Sequence, residues 1–313
     1  MDKNQTIDIT SIQRAPRYLF TVDYIFPNPY STVATFEKKN VATTGLHVQE
    51  FYEICIISKG EGYHIIEDTC VNAVKGDVFV VPPGRKHALV GGDGFNIFYI
   101  HLSPAFFKHY TSKMKILPAF LALFEIEPTM RAHGTKYRHL YLDDNALNET
   151  IGILRGGEKR YQYDPATMLI LESYIVIVLT ILCREYEKMQ TIISKNANID
   201  RHFMNSISLI LESYNQKITI EYLAQVAGLS RTTYIERFRK AMGMSPRRFI
   251  MQQRLKAAKE LLVSTNTPII KIAEETGFYD SAHFNKCFIA SEKIAPSEYR
   301  KTAQNSNKLE NSM

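Results

Sequence analysis

Four residues in the first third of the chain carry side chains that bind metal ions or small polar ligands. His47, Gln49 and Glu53 share one β-type run at alternate positions, and His87 follows further along the chain. Because alternate side chains of a strand share a face, His47, Gln49 and Glu53 point the same way. Together with His87 they could ligate iron, manganese or zinc, or hydrogen-bond a small polar molecule.

The segment from Ser31 to His101 must position these residues. It consists of short runs rich in β-branched and aromatic residues, divided by Gly, Pro and Asp. Such evenly spaced runs predict a barrel or a sandwich. The run at 46–57 predicts one strand, whose inner face adds Phe51 to the set, and we expect His87 on a neighbouring strand.

The last third of the chain predicts two helix-turn-helix units. In the first, Gly228 can adopt the positive φ of a tight turn and Ser230 can cap the following helix. In the second, Gly277 supplies the turn, and Asp280 or Ser281 the cap. Residues between the units, 246–263, predict one unbroken helix, so the second helices of the two units could enter successive major grooves about 34 Å apart.

This C-terminal segment resembles the DNA-binding domain of the AraC/XylS family of bacterial transcription regulators. The residues that carry the resemblance are Ala224, Gly228, Leu229, Ser230, Phe238, Gly243, Ser245, Pro246, Arg254, Ala258, Leu261, Leu262, Ile272, Ala273, Gly277, Phe278, Phe284, Phe288, Pro296, Tyr299 and Arg300. The sequence departs from the family's pattern after Phe288, where the family has basic residues, then Gly, then Ser or Thr before Pro. Those places are taken by Ile289, Ala290, Lys293 and Ala295.

The resemblance implies that the second helix of each unit contacts DNA. In the first unit, burial of Tyr234 and Phe238 predicts a DNA face made of Ser230, Arg231, Thr232, Ile235, Glu236, Arg239 and Lys240. In the second, burial of Phe284 and Phe288 predicts a face made of Ser281, Ala282, Asn285 and Lys286. For Glu236, an i to i+4 ion pair with Lys240 is an equal alternative.

The charge distribution favours DNA binding over a helical bundle whose residues only pack. The whole chain has a net charge of +6, and residues 201–300 hold 15 basic and 9 acidic residues, a net of 15 − 9 = +6. The remainder is therefore neutral. A neutral body that carries a basic module is typical of a nucleic-acid-binding protein.

Two stretches of the β-rich region resemble the paired motifs of the cupin barrel. The first has His47, Gln49 and Glu53 before Gly60, and the second has Gly76, Pro82, Gly84 and His87. Gln49 replaces the second histidine of the metal-binding pattern, and a neutral amide is a poor ligand for such metals. Relatives in the AraC family use the barrel as an effector pocket, which implies effector binding by His47, Gln49, Phe51, Glu53 and His87.

Three interpretations of these residues stay open. The first is a polyol or sugar site, since hydroxyl groups both donate to and accept from imidazole, carboxylate and amide groups. A second is that the histidines are only hydrogen-bonded strand residues. The third is a cupin-type metalloenzyme fused to a DNA-binding module. We favour the first, and we expect no metal and no other cofactor.

The predicted fold class is α+β, with an N-terminal cupin-like β-barrel and helical subdomain and a C-terminal all-α double helix-turn-helix domain. The predicted parts are an arm at 1–24, the effector barrel at 25–102, a helical or dimerisation subdomain at 103–190, a linker at 191–200, the DNA-binding domain at 201–300 and a tail at 301–313. Relatives use such an arm to close over the effector or to contact the DNA-binding domain; a disordered terminus is the alternative. The apolar helix from Pro165 to about Met189 could be an internal core or a dimer interface.

Other features exclude several classes of protein. Four cysteines stand far apart, which indicates a reducing cytoplasm, and the polar start predicts no signal peptide. The ten-residue apolar run at 174–183 is too short to span a bilayer. No P-loop, nucleophile elbow or dinucleotide fingerprint is found, so we expect no catalysis. The resemblance implies a cytoplasmic homodimer, more often an activator, whose partners are promoter DNA, RNA polymerase and a small carbohydrate-like effector.

Overall fold

A computed structural model describes residues 18–26, 31–133, 139–158, 164–194 and 198–302. The chain divides into two compact units, Met1–Asn198 and Ile199–Met313. The first combines strands with helices, and the described part of the second is entirely helical. This arrangement confirms the predicted α+β class.

The strands of the N-terminal unit form two five-stranded sheets. They are β1 Tyr18–Phe20, β2 Val33–Lys38, β3 His47–Gln49, β4 Tyr52–Lys59, β5 Glu61–Ile66, β6 Thr69–Val74, β7 Asp77–Val81, β8 His87–Val90, β9 Asn96–Leu102 and β10 Leu140–Tyr141. One sheet has the order β1-β3-β8-β5-β6 and the other β10-β7-β4-β9-β2. Among the described residues no strand pair joins the two sheets, so they form a sandwich and not a closed barrel.

Apolar side chains from both sheets meet in one core. Cys55, Ile57 and Ile97 come from the second sheet, and Ala73 and Leu89 from the first. All five are inaccessible to solvent. This core adjoins the polar residues of the interior, because the Cys55 thiol donates to Glu53 at 3.1 Å.

The segment 46–57, predicted as one strand, is in fact two strands in different sheets. His47 pairs with His87 in the first sheet, whereas Glu53 pairs with Val81 and His101 in the second. The chain bends at 50–51 between them. Because the bend keeps the inward face inward, His47, Gln49, Phe51 and Glu53 are all buried, as the alternation predicts.

Helices complete the N-terminal unit. They are α1 Val22–Ile25, α2 Pro104–Met114, α3 Pro118–Leu121, a π-helix Ala122–Ile126, α4 Glu127–Ala132, α5 Asp144–Glu158 and α6 Pro165–Ser194. Asp164 caps α6, as predicted, since its carboxylate accepts from the backbone N–H groups of Ala166 and Thr167. Helix α6 is tied to the rest of the unit through Glu172, which accepts hydrogen bonds from the hydroxyls of Thr32 and Tyr110.

Helix α6 is long and apolar enough to cross a membrane by length and composition alone. An 18-residue window within Pro165–Gln190 has a mean hydropathy of 2.3, and 39% of that window is buried inside the unit. One such helix is weak evidence for a membrane span, because core helices of soluble domains have the same composition. Its outer face leaves Leu169 and Ile177 exposed.

The predicted arm and linker contain regular secondary structure where they are described. Strand β1 pairs in parallel with β3, so residues 18–20 of the arm belong to the first sheet. Helix α6 continues to Ser194 and the next helix begins at Asn198, so helix occupies both ends of the predicted linker. Residues 1–17, 195–197 and 303–313 lie outside the described residues.

The C-terminal unit has the two predicted helix-turn-helix units. Its helices are α7 Asn198–Ser213, α8 Ile220–Val226, α9 Arg231–Met242, α10 Pro246–Ser264, α11 Ile269–Glu275 and α12 Ser281–Glu292, followed by a last helix at 296–302. Ser230 caps α9, and Asp280, not Ser281, caps α12. Gly277 has a φ of +83°, and a Cβ there would lie 2.5 Å from the carbonyl oxygen of Asn215. Only glycine fits this turn.

Candidate effector site and nucleic-acid interface

A polar cluster lies between the two sheets. His47 and His87 face each other across β3 and β8, and Glu53 faces His101 across β4 and β9. One ligand atom from each of His47, Glu53 and His87 lies within 4.8 Å of the others. The structure thus brings together the residues that sequence alternation placed on one face. It adds His101, which sequence analysis missed because its inward position depends on the register of β9.

Glu53 is the centre of this cluster. Its Oε2 accepts from His101 Nε2 at 2.9 Å, and its Oε1 accepts from the Cys55 thiol at 3.1 Å. Burial raises the pKa of the Glu53 carboxyl, but His87 and His101 beside it more than offset this and hold the pKa below its ordinary value. Glu53 is therefore an anion, and burial with that anion raises the pKa of Cys55 and keeps it a thiol.

A second group of polar residues lies on the Nδ1 side of the His87 ring. His64 Nε2 lies 3.3 Å from His87 Nδ1, and Arg131 Nη1 lies 2.9 Å from His64 Nδ1. Arg131 also donates from Nε to Glu127 at 2.8 Å and from Nη2 to the Val80 carbonyl at 2.7 Å. All four ionisable groups are buried. Sequence analysis missed this support, although the buried strand GYHII contained the signal for His64.

Burial sets the charge state of both histidines. Burial lowers the pKa of His87 to about 3 in spite of the nearby Glu53, which opposes the shift. Burial and the positive charge of Arg131 hold the pKa of His64 well below its ordinary value. Both rings are therefore neutral at pH 7.

Several buried polar atoms of the cluster have no protein partner. Neither the oxygen nor the nitrogen of the Gln49 amide is hydrogen-bonded, although Gln49 is completely buried. The same holds for His101 Nδ1 and for His87 Nε2, which lies 3.4 Å from Glu53 Oε1 without hydrogen-bond geometry. An unpaired buried polar atom costs about 1–3 kcal/mol. Such a concentration indicates groups that a ligand would satisfy.

The N-terminal segment covers the His47 side of the cluster. The Phe20 ring packs edge-on against the His47 ring, with centroids 5.1 Å apart. The Val22 N–H donates to the Glu50 carboxylate at 3.2 Å, and the Phe20 carbonyl accepts from the Glu50 N–H at 3.2 Å. Further along, Phe26 packs edge-on against Phe51. The segment 18–26 therefore lies where a lid over the cluster would lie.

The donor set of the cluster also suits a metal ion by type and distance. Two imidazoles and a carboxylate within 4.8 Å of one another are ligands that zinc and iron accept. The fourth inward residue is Gln49, whose amide is a weak ligand. Glu53, moreover, is already engaged by two protein donors. The expectation that no metal binds stays a prediction.

The first recognition helix, α9, exposes most of its predicted DNA face. Tyr234 and Phe238 are completely buried. Six of the seven predicted contact residues are exposed and one, Ile235, is half-buried; the exposed ones are Ser230, Arg231, Thr232, Glu236, Arg239 and Lys240. Arg231 Nε donates to Glu221 Oε1 at 2.7 Å. This places an acid of α8 directly beside the first residue of the recognition helix.

The second recognition helix, α12, has the same pattern of buried aromatic and exposed polar side chains, but its predicted DNA face has fewer charged residues. Phe284 and Phe288 are completely buried, and Ala282, Asn285 and Lys286 are exposed, whereas Ser281 is half-buried. Tyr279, which sequence analysis did not select, is 91% exposed two residues before this helix. After the helix, Lys293 adopts a left-handed conformation with a φ of +65°. That position is where the family's pattern has glycine.

Two segments of the chain match models of known protein domains, and several curated proteins are similar in sequence. Residues 28–147 match the model of the AraC-like ligand binding domain, and residues 223–302 match that of a helix-turn-helix domain. An uncharacterized HTH-type transcriptional regulator of Haemophilus influenzae is 24% identical over 261 residues, which cover 79% of this chain and 85% of the relative. The HTH-type transcriptional activator RhaS of Enterobacter sp. strain 638 is 23% identical over 285 residues, 90% of this chain and 96% of the relative. The Lactose operon transcription activator of Staphylococcus xylosus is 20% identical over 247 residues, 78% of this chain and 82% of the relative.

The two matched segments fall on the two structural units. The ligand-binding match includes every strand that carries the polar cluster, and the helix-turn-helix match includes both recognition helices. Relatives of nearly full length are transcription regulators. The chain therefore belongs to the AraC family of transcription regulators, proteins that bind DNA and respond to a small-molecule effector.

Proposed function

We propose that this protein is a cytoplasmic, dimeric transcription activator that binds a neutral sugar-like effector between the sheets of its N-terminal unit. The observation that carries the proposal is Gln49, which is completely buried two residues from His47 on β3 and whose amide has two unsatisfied groups. A ligand hydroxyl both donates and accepts, so it can satisfy such groups. The effector would contact the predicted set His47, Gln49, Phe51, Glu53 and His87, with His101 added.

The sugar class has a second line of support. The anionic Glu53 disfavours an acidic effector. The Phe51 ring, which packs against the His101 ring with centroids 4.8 Å apart, offers an apolar surface beside the polar groups. One relative is named Lactose operon transcription activator. The activator role also follows from relatives, because RhaS is named an activator.

Promoter DNA is the proposed partner of the C-terminal unit. The contacts proposed are Ser230, Arg231, Thr232, Ile235, Glu236, Arg239 and Lys240 in the first unit, and Ser281, Ala282, Asn285 and Lys286 in the second. Arg231 and Lys286 suit guanine, Asn285 suits adenine, and Glu236 can accept from cytosine. Activation would act through RNA polymerase bound beside the operator.

A homodimer would form through helix α6. Leu169, Ile170 and Ile177 are exposed on this helix, and only 39% of its apolar 18-residue window is buried. A second copy of that face would remove these side chains from water. Internal core residues such as Val178 and Leu182 face the other way.

Elemental analysis separates this proposal from the rival metalloenzyme. Purified protein should contain no stoichiometric transition metal, because Gln49 leaves at most His47, Glu53 and His87 as ligands. About one metal per chain, lost in Glu53→Ala, would favour the metalloenzyme.

Selection of bound DNA tests the function directly. The full chain is mixed with random duplexes, with and without a library of neutral sugars, and the enriched sequences are compared. An enriched operator and a sugar that changes its occupancy are expected. His47→Ala should abolish the sugar response and keep operator binding, whereas Arg231→Ala should weaken operator binding and keep the sugar response. Loss of both properties in either variant would contradict the division between units.

A further inference from the structure

A chain of hydrogen bonds runs from helix α4 into the polar cluster. It begins at Arg131, whose guanidinium can only donate and does not lose its proton. Its Nη1 lies 2.9 Å from His64 Nδ1, so that nitrogen must be the acceptor and carries no hydrogen. His64 is neutral, and its ring proton is therefore on Nε2.

The position of the proton on His87 follows in the same way. The proton on His64 Nε2 faces His87 Nδ1 at 3.3 Å, so His87 Nδ1 accepts and carries no hydrogen. A neutral His87 then holds its proton on Nε2. That nitrogen is buried, has no hydrogen-bond partner and lies 3.4 Å from Glu53 Oε1. Arg131 thus determines, through one intervening ring, which nitrogen of His87 is a donor in the interior.

We propose that Arg131 and His64 are positioning residues that fix His87 as an N–H donor and so select an effector with a neutral hydroxyl group that contacts both His87 and Glu53. This inference rests on the proposed function and specifies its ligand chemistry. The hydroxyl oxygen accepts from His87 Nε2–H, and its hydrogen is donated to the Glu53 carboxylate. The Gln49 amide can bind a second hydroxyl of the same molecule.

The arrangement discriminates against three other classes of ligand. A metal ion needs the lone pair of His87 Nε2, so the His87 proton would have to move to Nδ1 and be donated to His64 Nε2. The His64 proton would then lie on Nδ1, where it opposes the Arg131 N–H and the hydrogen bond from Arg131 is lost. An acid meets the negative charge of Glu53. An ammonium group has only donors, so it cannot accept from His87. Glu127 neutralises Arg131 at 2.8 Å, so the charge that starts the chain adds no net attraction for an anion.

Nitrogen NMR of the histidine rings tests the first half of this proposal. In the full chain at pH 7.5, long-range proton–nitrogen spectra should show His64 and His87 as single Nε2–H tautomers. His87 with its proton on Nδ1 would overturn the proposal, as would one equivalent of Co²⁺ bound with His87 as a ligand.

A double variant makes the test specific to the positioning role. Glu127→Met with Arg131→Met removes the buried ion pair at similar volume, which buried pairs often tolerate. His87 should then populate both tautomers, and affinity for Co²⁺ should rise at least tenfold. Glu127→Gln, which keeps the Arg131 donor, is the matched control and should keep the tautomers of the unmodified chain. Unchanged tautomers in a folded double variant would overturn the proposal.

The ligand half is tested with matched probes. Neutral monosaccharides and lactose are each compared with the corresponding sugar acid and amino sugar, and the signal of His87 Nε2–H is followed. At least one neutral sugar should shift this signal, and no acid or amino sugar should. A shift caused by an acid, or no shift with any neutral sugar, overturns the ligand half. If those sugars still activate transcription, the proposed function stands although this assignment fails.

Discussion

Arg231 Nε and Glu221 Oε1 are 2.7 Å apart, so the first residue of the first recognition helix is paired with an acid of the preceding helix. Both side chains are more than half exposed, and such a pair adds little stability. At the proposed DNA contact Arg231, Glu221 would compete with DNA for the guanidinium and repel phosphates.

We predict that Glu221→Gln tightens operator binding about two- to fivefold at low salt. The change frees Arg231 and removes a negative charge from the DNA face. Fluorescence anisotropy with a labelled operator measures the effect. Glu212→Gln, on helix α7, makes the same charge change elsewhere and is the control. An equal gain in both variants would show that only net charge matters.

The two recognition helices should contribute differently. Arg231→Ala and Arg239→Ala should weaken binding more than Lys286→Ala does, because the uncharged Ile289 and Ala290 lie in the last turns of the second helix and Ala295 follows it. Lys286→Ala should instead relax preference at one base position by about 1–3 kcal/mol. Competition among operators that differ at single positions measures this, and footprints should cover two successive major grooves per subunit. A Lys286→Ala loss that is equal for all sequences would exclude base reading by the second helix.

Lys293 offers a test of backbone strain. It is held at a φ of +65°, a conformation that costs a side-chain-bearing residue about 1–2 kcal/mol. Lys293→Gly should therefore raise the free energy of unfolding of the C-terminal unit by about 1 kcal/mol. Gly243, at a φ of +70° after the first recognition helix, is the matched position, and Gly243→Ala should lower it. Urea unfolding followed by circular dichroism measures both variants. A destabilised Lys293→Gly would mean that the Lys293 hydrogen bond to the Ala290 carbonyl outweighs the strain.

The buried histidines should make the N-terminal unit sensitive to acid. The pKa of His87 is lowered to about 3 and that of His64 is also lowered, whereas an unfolded histidine titrates near pH 6.5. Below pH 6.5 the unfolded chain therefore binds more protons than the native chain, and the free energy of unfolding falls as pH falls. Between pH 7.5 and 5.5 the loss is about 1.4 kcal/mol for each such histidine.

Thermal unfolding of the full chain at several pH values measures this loss. His87→Gln should reduce the pH dependence, because the amide oxygen can accept from His64 Nε2 in place of the ring without titrating. His283→Gln changes an exposed histidine of the C-terminal unit and should leave the dependence unaltered. A transition of the N-terminal unit that stays constant down to pH 5.5 would contradict the assignment of neutral buried rings.

The features that the sequence predicts correctly are those that depend on residues close together in the chain. Gly228 and Ser230 act through their own backbone and near neighbours, so the turn and the helix start are visible in a short window. Tyr234 and Phe238 are buried at helical spacing. His47 and Glu53 keep a common face because the bend between their strands preserves alternation.

Longer-range features were not predictable from local patterns. The contact of Arg131 with His64 joins residues 67 positions apart and depends on how α4 packs on the sheet. His101 faces Glu53 only because of the register of β9 with β4. The ion pair of Arg231 with Glu221 likewise depends on the angle between two helices. Each contact depends on tertiary packing, which cannot be read from the spacing of apolar residues along the chain.

The Phe20 ring against His47 has a consequence for the speed of the response. An effector bound at the proposed site that entered beside His47 would have to wait until this ring and strand β1 moved away, so opening would precede binding. When opening is slower than encounter, the observed association rate reaches a plateau as the effector concentration rises, and the plateau equals the opening rate. Phe20→Ala would remove the ring contact and so raise the opening rate and the plateau of the association rate. The groups that recognise the effector would not change.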